Sequence, residues 1–395
     1  MFNRNIVLII FLAVIFGLAG GVVGEIVSRV YLFESTFNIP VFRDIDLSGE
    51  NGSSSFVISE ARRVIVEQDQ KVIDTINMVD DSIVGIYQMK EGSKLETKEA
   101  FDLNNYYFIN NQLGQGFVIT SDGWIITEFL PEKYAQVIFS DNNKKLIKED
   151  LIKNFVIIDK EKDVYSIEDV VIDEDYSFVF LKVNANDLPV RKFAQEEDIV
   201  VGQVALAVNW QNKNLFSTIS EIKTDNALVK SSDIYLNKIV LANEINEDLY
   251  SSYLFNLSGD LVGLINKNGE IFNINIFSSA VRGMLETKEI KRAKLGVNYV
   301  DFSELINLKE SKERKGAVIY KNNSGISIIK NSVSEVSGLK EGDIILSINN
   351  TELDSKNSLN KIINKYLEGD MIRVAYERDG EIKEVDIKFN SLKKE

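Results

Sequence analysis

The strongest constraint on fold in this 395-residue chain is how its apolar residues are parcelled between Ile83 and Phe277. They come in short runs, IVGIYQM, GFVIT, WIIT, AQVIF, FVFLKV, VALAV, KIVLA, LVGLI and IFNINIF, rich in Val, Ile, Phe and Tyr and separated by turn-forming residues. Runs of this length are strands rather than helices, because β-branched and aromatic side chains suit a pleated, half-buried surface. Many such strands in succession imply an all-β sandwich or barrel assembly, not βαβ units. The clearest pair is FVIT-SDG-WIIT, where Asp122-Gly123 provides the hairpin turn between two apolar strands.

The flanking segments differ in character. Ile6 to Val23 carries no charge for 18 residues and apolar character resumes to Leu32, enough to cross a bilayer core. Residues 1–33 therefore read as a membrane anchor, with a cleaved signal peptide as the alternative, since Gly17, Ala19, Gly20 and Gly21 are small. Arg4 on the near side favours an exported bulk. Residues 34–57 read as a flexible linker, and Ile58 to Val79 as a helix with Ala61, Val64, Val72, Ile73 and Ile76 on one face. The last hundred residues mix strands (GAVIYK, DIILSIN, MIRVAYE, EVDIKF) with one amphipathic helix over Ser358 to Leu367, which predicts a separate small domain.

Composition removes whole classes of chemistry. The chain has no histidine and no cysteine, so imidazole bases, thiol nucleophiles, disulfides and zinc cages of either ligand are excluded. Its net charge is -15, and the imbalance lies in residues 1–290, with 26 basic against 43 acidic side chains. Such a surface argues against nucleic acid, which needs clustered Lys and Arg to neutralise phosphates. The cluster Asp173, Glu174, Asp175 lacks the spacing and glycine of a calcium loop and reads as a solvated turn; no metal or cofactor is expected.

In order, these segments resemble the HtrA (Deg) family of extracytoplasmic serine proteases. GQGFVITSDGWIIT at 114–127 looks like the family's GSGFIIxxDGxIxT hairpin, FVFLKV at 178–183 its DLAxLKV strand, and LVGLI at 261–265 its xVGIN strand. LGV at Leu295 to Val297 and GLKEGDIILSINN at Gly338 to Asn350 look like the ligand loop and signature of its PDZ domain. The resemblance implies a mainly β fold: a trypsin-like double β-barrel with leading helix over 58–290 and a C-terminal PDZ domain over 291–395. It also implies trimers, or mixed oligomers.

Carried over residue by residue, the catalytic pattern is degenerate. Thr127, Glu128, Phe129, Leu130, Pro131 stand against TNxHV, so Leu130 takes the place of the general base. Counting back from Lys182 puts Ser177 at the base-orienting Asp, and counting back from Asn256 puts Tyr250 at the nucleophile, or Ser251 with a slip of one. A serine hydroxyl needs an adjacent base, and this chain has no imidazole to supply. A Ser-Lys dyad drawn from Ser251 or Ser252 with Lys144, Lys182 or Lys238 is the surviving enzymatic route.

The PDZ-like segment keeps its chemistry. By the resemblance, Gly296 permits a carboxylate-holding loop, Leu295 and Val297 flank a hydrophobic pocket, and Leu359, Ile362, Ile363 and Tyr366 close a groove that accepts a peptide as an added strand. The expected protein is a membrane-anchored extracytoplasmic pseudoprotease that binds C-termini or unfolded segments of exported or membrane proteins in quality control. The rivals are a serine endopeptidase with a divergent active site and a regulatory subunit of an active paralogue.

Overall fold

The strand runs are apolar on consecutive residues because both of their faces are buried. The computed structural model describes residues 59–90, 103–134, 141–306 and 315–390. Within it, β1 (Ile83–Gln88), β2 (Gly114–Val118), β3 (Trp124–Thr127), β4 (Phe155–Ile158), β5 (Val164–Asp173) and β6 (Phe178–Val183) close an antiparallel barrel in the order β1-β2-β3-β6-β5-β4. On β6, Val179, Leu181 and Val183 fill this barrel, while Phe178 and Phe180 turn into a cluster shared with a second barrel. On β3, Ile125 points inward and Trp124 and Ile126 outward in the same way. Period-two alternation thus puts successive side chains into two different cores.

The Asp122-Gly123 turn joins β2 to β3 as expected, with Ile119 N–H donating to the Trp124 carbonyl at 2.8 Å. Gly123 has φ +105°, and a Cβ there would lie 2.3 Å from the Val183 carbonyl oxygen, so only glycine lets β6 pass this close.

The second barrel is built from β7 (Val204–Val208), β8 (Asn214–Thr224), β10 (Asn237–Leu241), β11 (Tyr253–Phe255), β12 (Leu261–Ile265) and β13 (Ile271–Asn273). It closes as β10-β13-β12-β11-β7-β8; β9 (Lys230–Ser231), which falls between β8 and β10 in sequence, leaves it for another sheet. The IFNINIF run is a strand only to Asn273, whose side chain accepts the Asn275 N–H at 3.0 Å and starts a tight turn over Ile274–Phe277.

Helices α1 (Ser59–Asp80), α2 (Asp141–Asn154) and α3 (Ser278–Thr287) brace the barrels. Val72, Ile76 and Val79 of α1 join the inter-barrel cluster, and Thr75 Oγ1 donates to the Leu257 carbonyl at 2.9 Å. The strand pattern gave no warning of α2. That helix commits Ile147 and Leu151, one turn apart, to the first barrel's core from an otherwise polar segment.

The C-terminal domain contains β14 (Asn298–Asp301), β15 (Ala317–Ile319), β16 (Ile344–Ile348), β17 (Thr351–Glu352), β18 (Met371–Arg378) and β19 (Glu381–Lys388), with helices α4 (Val333–Val336) and α5 (Leu359–Ile363). Its sheet runs β19-β18-β16-β15-β14-β9, with β17 beside β16, so the strand that left the second barrel completes it. Helix α5 is shorter than the expected Ser358 to Leu367. The chain beyond Ile363 instead bonds the interdomain connection, through Ala293 N–H to the Tyr366 carbonyl at 3.1 Å and Glu368 N–H to the Lys291 carbonyl at 2.8 Å.

The expected anchor over 1–33, the linker over 34–57 and the AQVIF run at 135–139 lie outside the described residues. Among the described residues, no helix is long and apolar enough to cross a membrane. Val66–Glu395 forms one compact unit.

Candidate functional sites: the inter-barrel cleft and the peptide groove

A cavity of about 530 Å³ opens where β3 ends and β6 begins, lined by Glu128, Leu130, Ser177, Tyr235 and Arg292 among others. Leu130 and Ser177, the expected stand-ins for base and orienter, both line it. Tyr250 is not part of that lining. Its ring lies over the backbone of Gly269, where an added Cβ would come within 2.7 Å of Cε1.

Ser251 sits in a neighbouring cavity of about 460 Å³ together with Glu128 and Leu130. Its backbone is held at φ +61°, and its carbonyl accepts from Gln115 Nε2 at 2.8 Å, which ties it to the first barrel. The Ser251 hydroxyl donates to the Glu128 carboxylate. Burial pushes the Glu128 carboxyl above its ordinary range, and this hydrogen bond offsets only part of the rise. Glu128 was visible in sequence only as a departure from TNxHV; its pairing with a serine 123 residues away was not.

The lysines weighed as alternative bases have other partners. Lys144 pairs with Glu174, Lys182 with Asp122 at 3.1 Å, and Lys238 with Glu270 at 2.5 Å. The Ser252 hydroxyl is buried and donates to the Leu249 carbonyl. At either nucleophile position the backbone donor that would face an oxyanion is engaged: Tyr250 N–H donates to the Glu247 carbonyl at 3.0 Å and Ser251 N–H to the Asn266 carbonyl at 3.4 Å.

Of the Asp173 to Asp175 segment, Glu174 and Asp175 form the exposed turn expected from sequence, and Asp173 does not. Asp173 is fully buried and receives Arg292 Nη2 at 2.7 Å, with Arg292 Nη1 reaching Asp175 at 3.2 Å. The Arg292 guanidinium lies 4.7 Å from the centre of the Tyr176 ring. A buried carboxylate needs such a counter-charge, and its partner comes from the connection between barrel and C-terminal domain.

In the C-terminal domain, Gly296 adopts φ +79°, and a Cβ there would lie 2.4 Å from Ser332 Cβ. This conformation turns consecutive N–H groups to one side. Leu295 N–H and Gly296 N–H converge on one carboxylate oxygen, Asp233 Oδ1, at 2.8 and 3.0 Å. Val297 N–H reaches Ser232 Oγ at 3.1 Å, and Ser232 N–H donates to the Val297 carbonyl at 2.9 Å. Upstream, β9 pairs antiparallel with β14, Ser231 opposite Asn298 and Lys230 opposite Tyr299. Across the groove, Asn360 of α5 donates from Nδ2 to the Ile234 carbonyl at 2.9 Å.

Of the residues expected to line this groove, Leu295, Val297, Leu359, Ile362 and Ile363 all belong to the buried core of the domain. Tyr366 lies beyond α5, stacks near Phe389 and accepts from Asn349 at 3.0 Å through its hydroxyl. Ser232, Asp233 and Asn360 were missed by sequence reasoning. Nothing local marks them, since each gains its role from a contact more than 60 residues away.

Comparison with known proteins agrees with this architecture. Residues 294–389 match the PDZ domain model. The chain is 25% identical over 290 residues to a protein of Halomonas elongata named a probable periplasmic serine endoprotease, DegP-like, with 70% of this chain and 56% of that one covered. It is 23% identical to the serine protease Do-like HtrA of Lactococcus lactis, covering 95% of this chain and 93% of the relative. Against the DegP-like relatives the chain spans somewhat over half their length, 56% and 57% for two of them. Among solved structures, an HtrA-type protease, AlgW with tripeptide, superposes with a TM-score of 0.50 at 15% identity, covering 81% of this chain and 96% of that one. These comparisons support a mainly β fold of the HtrA/DegP serine-protease type with a C-terminal PDZ domain.

Proposed function

We propose that this HtrA-like chain is a peptide-binding pseudoprotease: its PDZ domain captures C-termini or unfolded segments of exported or membrane proteins, and its barrels do not hydrolyse them. One observation carries the binding half. The loop Leu295 to Val297 already holds a carboxylate oxygen on two backbone N–H groups, while β14 pairs with an added antiparallel strand. That is the chemistry by which a chain terminus is recognised.

The catalytic half rests on what surrounds the nucleophile position. No imidazole exists in the chain, Leu130 and Ser177 offer no base, and the N–H groups of Tyr250 and Ser251 are spent within the protein. The periplasmic naming of relatives supports an extracytoplasmic location, and the membrane tether and trimeric assembly belong to the same reading.

The test uses the full chain. It is incubated with unfolded β-casein, and a panel of heptapeptides with free or amidated C-termini is titrated onto it. No turnover together with binding that needs the free carboxylate is expected. Ser251-dependent cleavage would overturn the pseudoprotease reading, and equal binding of the amides would overturn carboxylate capture. The Ser251 to Glu128 hydrogen bond favours a second reading, a carboxylate-assisted serine hydrolase, which the same assay decides.

A further inference from the structure

We infer that residues Lys230–Asp233 are a tethered pseudo-ligand of the PDZ groove, and that an incoming C-terminus binds only by displacing them. This inference rests on the peptide-binding reading above and concerns its regulation.

The segment meets the requirements of a bound terminus one by one. It lies antiparallel to β14 and so enters from the correct end, running toward the carboxylate loop as β14 runs away from it. Ser232 makes the backbone bond of the last residue, its N–H to the Val297 carbonyl. A terminal carboxylate would follow Ser232 directly. In its place the Asp233 side chain folds back, with Oδ1 taking both loop N–H groups and the Ser232 hydroxyl at 2.7 Å. Lys230 is buried and paired with Glu304 in the tight turn Phe302–Glu304 that follows β14.

The segment is bounded by exposed side chains on either side, although Tyr235 further on is buried again in the inter-barrel cluster. Lys230 and Ser232 are shielded, whereas Leu228 just before is 66% exposed and Ile234 just after is 54% exposed. The side chains of Lys230 and Ser232 are thus taken into the groove between the exposed Leu228 and Ile234, and Asn360 holds the Ile234 carbonyl where the segment turns out. An ordinary loop crossing a domain surface would not place its one carboxylate on the two N–H groups that the groove reserves for a terminus.

Because the occupant is part of the same chain, it competes at a high effective concentration irrespective of protein concentration. If the groove is free for about a tenth of the time, the apparent affinity for an external peptide falls about tenfold. The backbone and carboxylate bonds the occupant gives up are the ones the incoming peptide remakes, while the Lys230–Glu304 pair is the contact that displacement must break.

The test compares full-length wild type with Asp233→Ala and with Ser232→Pro, which removes the N–H donor to Val297. The probes are the labelled heptapeptide NALVKSS, whose free carboxylate would stand where Asp233 now does, its amide, and the heptapeptide panel. Retained amide protection in β16 and β18 verifies that each variant folds. Expected is at least tenfold tighter binding of free-carboxylate peptides to both variants, with faster exchange of the Leu295 and Gly296 amides before peptide is added. Unchanged affinity in both variants, with peptides still binding, overturns the occlusion and leaves the peptide-binding reading standing. Absence of any binding to all three proteins overturns the reading itself, and the occlusion with it.

Discussion

Arg292, on the connection between the second barrel and the PDZ domain, holds Asp173 at the end of β5 through a hydrogen bond of 2.7 Å while both side chains are withdrawn from water, at 6% and 0% exposure. The pair joins the first barrel to the segment from which the PDZ domain begins. Removing one partner strands the other charge in a low-dielectric setting, which typically costs about 3–5 kcal/mol. Asp173→Ala and Arg292→Ala should each lower stability by about that amount in urea titration, and the double variant should lose less than the sum.

Glu128 sets a pH dependence of opposite sign to that of a salt-bridged carboxylate. Its folded pKa is raised by burial, so the native state holds the proton more tightly than the unfolded chain does. Its contribution to stability then falls as pH rises from the unfolded pKa through the folded one, and above that the full penalty of ionising it is present. Glu128→Gln, which keeps an acceptor for the Ser251 hydroxyl, should raise the urea midpoint at pH 7 and leave it nearly unchanged at pH 3.5. A lower midpoint at pH 7 would show that the ionised form is stabilised instead.

Gly296 is required twice over, by its positive φ and by the 2.4 Å approach of its missing Cβ to Ser332. Gly296→Ala should cost about 1–3 kcal/mol in thermal unfolding. It should also abolish carboxylate-dependent peptide binding, because the N–H groups of Leu295 and Gly296 can no longer converge.

Restoring residue identities alone should not restore hydrolysis. In a Leu130→His, Ser177→Asp, Tyr250→Ser triple variant, the N–H at the nucleophile position still donates to the Glu247 carbonyl, so one of the donors an oxyanion site needs is already spent. Casein turnover should stay at background in this variant, and Ser251→Ala should match wild type. Measurable cleavage by the triple variant would show that the loop rearranges on its own.

How much of this was legible in sequence depends on the range over which each feature is determined. The β2–β3 hairpin was readable because an Asp-Gly turn and two apolar strands are adjacent in the chain. FVFLKV was readable as a strand, though its reason, two cores served by alternate side chains, appears only once a second barrel packs against the first. Helix α2 was missed because only Ile147 and Leu151 of its described residues are fully buried, with Ile152 partly so, in an otherwise polar segment. The expected α5 was too long because Tyr366 and Glu368 are recruited by the backbone of Lys291 and Ala293, which no local pattern announces. Asp173 was misread as solvated for the same reason: its counter-charge is 119 residues away. Gly296 was expected to permit a carboxylate-holding loop and has a positive φ, and the carboxylate its N–H meets comes from Asp233, a residue with no motif around it.

The departure of β9 from its barrel has one more consequence. Two closed barrels have no free strand edges, so among the described residues the flank of β14 is a place where unpaired backbone groups would otherwise face solvent. Exposed edges of that kind template the stacking of one chain on another. With Lys230 and Ser231 laid along it, the flank is shielded from other copies until a better-fitting strand arrives. If the chain handles unfolded segments as proposed, residues Lys230–Asp233 would double as a guard against aggregation.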